Sequence, residues 1–207
     1  TSLRLAYIEA DPSSLFVSNL DHGPPERIGT ISLQNLGLSW SPDGQWIAFV
    51  SERGGNSDIY VIRPDGNDLI NVSHDEGRDS RPTWSPDSRW ITFESDRDGQ
   101  LDLLLVRPDG SDLYPLASHP SADFGAVWSP DGRWIAFESL RTGNRDVWAV
   151  HPDGSGLTNV SHRANVDSSP VWSPPIEFPF HPVRVGAVVG GLLIGASIRR
   201  WSHTKRR

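Results

Sequence analysis

The 207-residue sequence contains no cysteine and no methionine, and its single lysine is Lys205. Without cysteine there can be no disulfide and no thiolate metal site, so packing alone must hold the fold, and thiols give no clue to the redox compartment. With no methionine and with Thr1 as its first residue, the chain is expected to be a processed product or a fragment, which leaves a signal peptide unreadable. A basic surface is missing too: up to Pro175 there are 13 arginines against 25 acidic residues. An acidic, lysine-free body has no face with which to neutralise a phosphate backbone, so nucleic acid is not an expected partner. Catalytic signatures are also lacking. There is no Gly-x-Ser-x-Gly elbow, no His-Glu-x-x-His and no glycine-rich phosphate loop, so the chain is read as non-catalytic, and no cofactor or metal is expected.

What the sequence has instead is tryptophan (9), glycine (19) and proline (17), a composition that suits short strands and tight turns. Trp40, Trp84, Trp128 and Trp172 recur at a spacing of 44. The first three open WSPDGQWIAF, WSPDSRWITF and WSPDGRWIAF, each with a second tryptophan six residues on (Trp46, Trp90, Trp134). SERGGNSDIYVIRPDG (from Ser51), SDRDGQLDLLLVRPDG (from Ser95) and SLRTGNRDVWAVHPDG (from Ser139) follow, and then LINVSH, LYPLASH and LTNVSH. Each unit therefore holds four short apolar or alternating runs, here strands A to D, parted by Ser-Pro-Asp-Gly and Arg-Pro-Asp-Gly turns. A four-stranded meander of this length cannot bury both faces alone, so repeated units should stack as β-propeller blades with the tryptophans between them.

The WSPDG..IAF.S.R.G..DIY...PDG pattern, from about Leu36 to Trp172, resembles the TolB-like β-propeller repeat, which also occurs in propeller domains of some serine peptidases. WD-repeat propellers and the sialidase Asp-box fit less well, because the Gly-His, the Trp-Asp and the full Ser-x-Asp-x-Gly-x-x-Trp spacing are absent. The expected fold is all-β, a propeller of four-stranded antiparallel blades over 1–175. Three complete units lie near 36–74, 80–119 and 124–162, with partial blades at 3–30 and 170–175. The first fragment lacks strand A, whereas PVWSPP (from Pro170) supplies a strand A and then departs from the pattern at Pro175. Pairing of these two would close a four-bladed ring; otherwise the chain is an open piece of a larger ring.

A meander alternates its turns, so A–B and C–D turns share one face, and B–C and D–A loops share the other. The Pro-Asp-Gly turns are explained by turn chemistry, whereas the longer loops are where a rigid scaffold binds. The partner-binding candidates are therefore Arg53, Arg97 and Arg141 from B–C loops, and His74, His119, His162, Asp79, Asp123 and Asp167 from D–A loops. Recurrence in every unit favours a blade-building role for these residues over a unique site. Histidines on successive blades diverge around a ring, so they are not expected to share a metal. The loop from Asp96 to Asp102 lacks the closing glutamate of a calcium loop.

The last 32 residues, 176–207, are unlike any blade. VGAVVGGLLIGASI (185–198) is 14 uncharged residues followed by Arg199, Arg200, Trp201, Lys205, Arg206 and Arg207. As a helix it would reach about 21 Å, short of the roughly 30 Å hydrocarbon core unless it is extended backwards. Its basic flank would suit the cytoplasmic side of a membrane anchor; an interfacial helix or an unstructured tail are the other readings. The resemblance implies a protein-interaction scaffold in the periplasm or cell envelope, with a protein partner. A substrate-gating propeller detached from a prolyl-oligopeptidase-like hydrolase, or a small-ligand or carbohydrate binder, remain as alternatives.

Overall fold

The computed structural model describes residues 3–10, 13–21, 23–30, 37–162 and 165–174. All of them lie in the first of two compact units, Thr1–Pro175 and Ile176–Arg207. The expected anchor segment, 185–198, lies outside the described residues, among which no helix is long and apolar enough to cross a membrane.

Among the described residues, fifteen strands form four antiparallel sheets. The N-terminal sheet contains β1 (Arg4–Ala10), β2 (Ser13–Asn19) and β3 (Glu26–Thr30). The first full blade is β4 (Leu38–Trp40), β5 (Ile47–Ser51), β6 (Asp58–Ile62) and β7 (Ile70–Asn71). The second is β8 (Asp79–Trp84), β9 (Ile91–Ser95), β10 (Asp102–Val106) and β11 (Tyr114–Pro115). The third is β12 (Asp123–Trp128), β13 (Ile135–Ser139), β14 (Asp146–Val150) and β15 (Thr158–Asn159). Each full blade is a meander in the order A-B-C-D, as the repeat implies. Among the described residues β1 pairs only with β2 and 165–174 form no strand, so no strand pairing that would close a four-bladed ring is present among them.

The A–B turn shows why Ser-Pro-Asp-Gly recurs. Ser41 Oγ donates to Asp43 Oδ1 at 2.6 Å, and the backbone N–H groups of Gln45 and Trp46 donate to Asp43 Oδ1 and Ser41 Oγ. Ser85 with Asp87, and Ser129 with Asp131, repeat the network. The hydroxyl of Ser129 holds the Asp131 carboxyl below its ordinary value, helped by the Arg133 N–H. A lowered folded-state value adds stability above the ordinary carboxyl pKa, and this is lost as pH falls through the lowered one.

The core lies between sheets rather than within them, because a lone sheet leaves both faces wet. Ala6, Leu15 and Val17 of the N-terminal sheet meet Ile47, Phe49, Tyr60 and Ile62 of the first blade. Ala48, Val50, Ile59, Val61 and Val72 then meet Trp84, Ile91, Phe93, Leu104 and Val106 of the second. Leu103, Leu105 and Leu116 in turn meet Trp128, Ile135, Phe137 and Val150 of the third. The repeat tryptophans lock these junctions: Trp84 Nε1 donates to the Ser39 carbonyl at 3.1 Å, and Trp128 Nε1 to Thr92 Oγ1 at 3.2 Å. The second tryptophan of each unit is half-buried under a cationic or imidazole partner. The Arg63 guanidinium lies 3.9 Å from the Trp46 ring centre and Arg107 lies 3.7 Å from Trp90, while the His151 ring sits 3.8 Å from Trp134. Arginine on the face of tryptophan is worth about 0.5–1 kcal/mol at such sites.

Candidate functional site

The B–C and D–A loops do share one face, and a side-chain amide joins them in each blade. Asn56 Nδ2 donates to the carbonyls of Asp75 and Gly77, Gln100 Nε2 to that of His119, and Asn144 Nδ2 to that of Asn165. Beneath these staples the recurrent charges form ion pairs inside the blade. Arg97 Nε donates to Ser95 Oγ at 2.9 Å while its Nη2 reaches Asp79 at 3.3 Å and the Ser73 carbonyl. Arg141 repeats the arrangement, with Ser139 Oγ at 2.9 Å, Asp123 Oδ2 at 2.7 Å and the Ala117 carbonyl. Asp79 and Asp123 are fully buried, and burial raises both carboxyls above the ordinary value despite the serine and arginine hydrogen bonds that oppose it.

The other candidates are placed differently. Arg53 is exposed, with its Nε donating to Ser51 Oγ and its guanidinium 5.1 Å from the Tyr60 ring; the position 44 before Asp79 is Asn35 rather than aspartate. Asp167 takes the strand-A start position, its N–H donating to the Arg145 carbonyl at 2.8 Å. Asp167 Oδ2 is buried without a hydrogen bond among the described residues, and the position 44 after Arg141 is Val185. His74 and His162 are exposed, each in a positive-φ turn held by the side-chain oxygen of Asn71 or Asn159. His119 is half-buried and its Nδ1 accepts from the Ser121 N–H. The three histidines therefore stay on separate blades, and among the described residues no group of three or more His, Asp or Glu is gathered to hold a metal ion.

One blade breaks its own pattern. Asp58 accepts from Asn71 Nδ2 at 2.7 Å and Asp146 from Asn159 Nδ2 at 2.9 Å. The equivalent of those asparagines in the second blade is Pro115, and Asp102 Oδ1 is buried with no hydrogen bond among the described residues. Burial raises the Asp102 carboxyl, and the negative charges of Asp123 and Asp98 add to the shift. Asp102→Asn is therefore expected to stabilise the fold by about 1 kcal/mol at neutral pH, since it removes a buried charge that Gln100 satisfies only in part. A raised folded-state pKa gives stability that is full below the unfolded value and lost as pH rises through the folded one. The advantage of Asp102→Asn should accordingly vanish in acid and grow towards neutrality. Urea titrations across that range check this, with Asp146→Asn, which disrupts a satisfied network, as the destabilising counterpart.

A second feature was not anticipated by the repeat. The A strands carry a bulge, at Ser80/Thr83 in β8 and at Phe124/Val127 in β12. Arg81, Gly125 and Ser169, 44 residues apart, have φ of 52°, 69° and 59° there. The bulge turns a backbone N–H out of the ladder towards the preceding blade. Gly125 N donates to Glu94 Oε1 at 2.8 Å, and Ser169 N to Glu138 Oε1 at 2.9 Å. Both glutamates sit buried in B strands that are otherwise uncharged. Each also holds an arginine: Arg81 Nη1 lies 3.3 Å from Glu94 Oε1, and Arg145 Nη1 lies 3.4 Å from Glu138 Oε2 without hydrogen-bond geometry. Together with Gly37, Val50, Leu101 and Phe124, these residues line a cleft of about 830 Å³ along the inner strands. The arginine side chains are 67% and 44% exposed while the glutamates stay buried, so the cleft presents positive charge inside an acidic molecule.

The TolB β-propeller domain family model matches residues 1–114, just over half of the chain. The chain belongs to the TolB β-propeller domain family. Among curated relatives, the Tol-Pal system protein TolB of Desulfosudis oleivorans is 38% identical over 60 residues, 28% of this chain and 14% of that protein. The namesake from Syntrophus aciditrophicus is 37% identical over 57 residues, 28% of this chain and 13% of that protein. The matched stretches are thus a small part of those TolB proteins. Among solved structures, putative TolB from Agrobacterium tumefaciens is 28% identical with a TM-score of 0.60, covering 75% of this chain and 60% of that one. TolB from Acinetobacter baumannii is 23% identical with a TM-score of 0.63, covering 76% and 40%. Puromycin hydrolase, at 21% identity and a TM-score of 0.59 over 77% and 29%, shares the fold alone.

Proposed function

We propose that the chain is a non-catalytic, TolB-like protein-interaction module of the cell envelope, working in the periplasm. It would offer the B–C and D–A loop face and the inner cleft to a protein partner. The observation that carries this reading is the cleft, where Arg81 and Arg145 keep exposed guanidinium groups next to buried glutamates. A carboxylate of a partner's loop or chain terminus suits such a pair, because guanidinium recognises carboxylate by two parallel hydrogen bonds. Arg97 and Arg141 support the face from within, and Arg53, His74 and His162 remain exposed at its rim. The names of the curated relatives make components of a Tol-Pal system the first partners to test.

The experiment is a binding isotherm of the 207-residue chain against purified Tol-Pal components, with Arg81→Glu and Arg145→Glu as variants. Each arginine neighbours a buried glutamate, so Arg81→Gln and Arg145→Gln, which remove the cation without adding a like charge, are measured alongside, and circular dichroism and urea titration separate loss of fold from loss of binding. Charge reversal at a partly desolvated contact is expected to weaken binding at least tenfold, about 1.4 kcal/mol. Unchanged affinity in both variants would remove the cleft from the interface, and peptide hydrolysis by the isolated chain would contradict the non-catalytic reading.

A further inference from the structure

Along the arc of blades, two neighbouring junctions share a plan but not their filling. Where the first and second blades meet, Trp46, Ile70 and Pro108 stand 44 residues before Trp90, Tyr114 and Pro152 of the next junction. In that next junction the Tyr114 ring is edge-on to Trp90 with centres 5.5 Å apart. Its hydroxyl crosses to the third blade and donates to the Pro152 carbonyl at 2.9 Å. The earlier junction keeps the tryptophan and its cation, since Arg63 lies over Trp46 as Arg107 lies over Trp90. It has isoleucine where the tyrosine would be. Among the described residues Trp46 accordingly has no aromatic partner, and the Pro108 carbonyl accepts no hydrogen bond.

The space that Tyr114 fills in one junction is open in the other. It is a notch of about 310 Å³, floored by the half-buried Trp46 and Ile70 and walled by Arg89, Arg107 and Pro108 of the second blade. That volume is at the small end of ligand sites. The walls belong to the A–B and C–D turns, so the notch lies on the turn face rather than among the B–C and D–A loops. They are also held in place: the Asp43 N–H donates across the junction to Ser88 Oγ at 3.1 Å, and the Asp109 carboxylate is taken up by the Ser111 N–H and hydroxyl. Arg89 is the charge left over at the rim. It is exposed and makes no salt bridge among the described residues.

We propose that this notch receives a tyrosine side chain of a partner protein, one with an acidic residue beside it. The next junction shows the fit. The incoming ring stands edge-on to Trp46 as Tyr114 does to Trp90, and its hydroxyl donates to the Pro108 carbonyl as Tyr114 does to that of Pro152. The neighbouring carboxylate meets the Arg89 guanidinium, the one complementary charge the rim offers. Tyrosine is preferred to phenylalanine, because a site built to pair a hydroxyl rejects the ring that lacks it. The contact is separate from the inner cleft and stands whether or not the cleft binds.

Acetyl-Glu-Tyr-amide titrated into the isotope-labelled 207-residue chain tests this by nuclear magnetic resonance. The expected result is saturable shifts of the Trp46 indole N–H and of the Arg89 and Asp109 amides, with the weak affinity of so small a ligand. Acetyl-Glu-Phe-amide should bind about fivefold more weakly, the worth of one neutral hydrogen bond. Acetyl-Lys-Tyr-amide should bind about threefold more weakly, and Arg89→Glu should reverse that preference. Ile70→Tyr supplies the ring from within, as the next junction does, and should weaken binding roughly tenfold or more by occupying the notch. The second blade already carries tyrosine at this position, so the fold should stand, which unchanged shifts in β12–β15 verify. Arg89→Glu falls on an exposed side chain and gives a second reading if Ile70→Tyr does not fold. A titration that leaves the Trp46 indole unmoved, equal affinity for the tyrosine and phenylalanine peptides, or a folded Ile70→Tyr chain that binds as tightly as the parent overturns the inference.

Discussion

Arg141→Ala is expected to lower the free energy of unfolding by about 3–5 kcal/mol, because it strands a buried carboxylate. Asp123 is inaccessible to solvent, its Oδ2 lies 2.7 Å from Arg141 Nη2, and its Oδ1 has no hydrogen bond among the described residues. With the guanidinium gone, the Ser139 hydroxyl remains the main opposition to a burial that already raises this carboxyl. The folded state would then take up a proton. Since a folded-state pKa raised above the unfolded one gives stability present below the unfolded value and lost as pH rises through the folded value, the deficit of Arg141→Ala should be largest near neutrality and shrink in acid. Asp123→Asn in the same chain should recover part of the loss, which a double-mutant cycle by urea titration would read directly. Arg53→Ala is the internal control. That arginine is exposed, so a cost of about 1 kcal/mol or less is expected. If the two alanine variants cost the same, the arginine–aspartate pair is not a blade element and Arg141 returns to the pool of partner contacts.

The repeat made most of the fold legible because each strand owes its place to local pattern. Strands B and C were readable as Ile47–Ser51 and Asp58–Ile62 from runs that are apolar on both faces, which is what a sheet sandwiched between two neighbours requires. Strand D was less legible. LINVS promised five residues and yields two, Ile70–Asn71, because the Asn71 side chain accepts from the N–H groups of Ser73 and His74 and turns the chain out of the ladder. The terminal strand A shows the limit of pattern. PVWSPP carries the right side chains and seats Trp172 as expected, but a strand needs a partner edge, and none is present beside it among the described residues.

The candidate site was legible only in outline. Sorting turns from loops showed which connections share a face, since the meander alone decides which of them lie at one end. Recurrence at 44-residue spacing marked Arg97, Arg141, Asp79 and Asp123, and the same recurrence was the sign that they build blades, as their burial now explains. The inner cleft left almost no trace. Arg81, Gly125 and Ser169 share a backbone conformation and no side-chain chemistry, so spacing could not connect them. The one available signal was Glu94 and Glu138, charged residues inside strands that otherwise bury only uncharged side chains. A buried glutamate needs donors, and the donor here is a bulged N–H that exists only once two blades are packed.

Packing of that kind makes Phe93→Ala the companion test, with an expected cost of about 3–5 kcal/mol. Phe93 is fully buried where the first and second blades meet, among Val50, Val61, Val72, Trp84, Ile91 and Val106, and Arg97 lies 5.7 Å from its ring centre. Removing the ring therefore leaves a cavity at a junction and loosens the support of the buried Arg97–Asp79 pair. Because each sheet packs its core only against its neighbours, the molecule approximates a linear array in which stability is a sum of blade and junction terms. The damage should then be uneven. Amide exchange is expected to accelerate most in β4–β11, on the two sides of the junction, and least in β12–β15, where Trp128 and Phe137 form a separate cluster with Leu103 and Leu105. Phe16→Ala, on the outer face of the N-terminal sheet where Phe16 is half-buried, should cost far less and leave the second junction untouched. A uniform loss of protection in Phe93→Ala would mean that the arc unfolds as one cooperative body, and the junction-by-junction account of its stability would have to be given up.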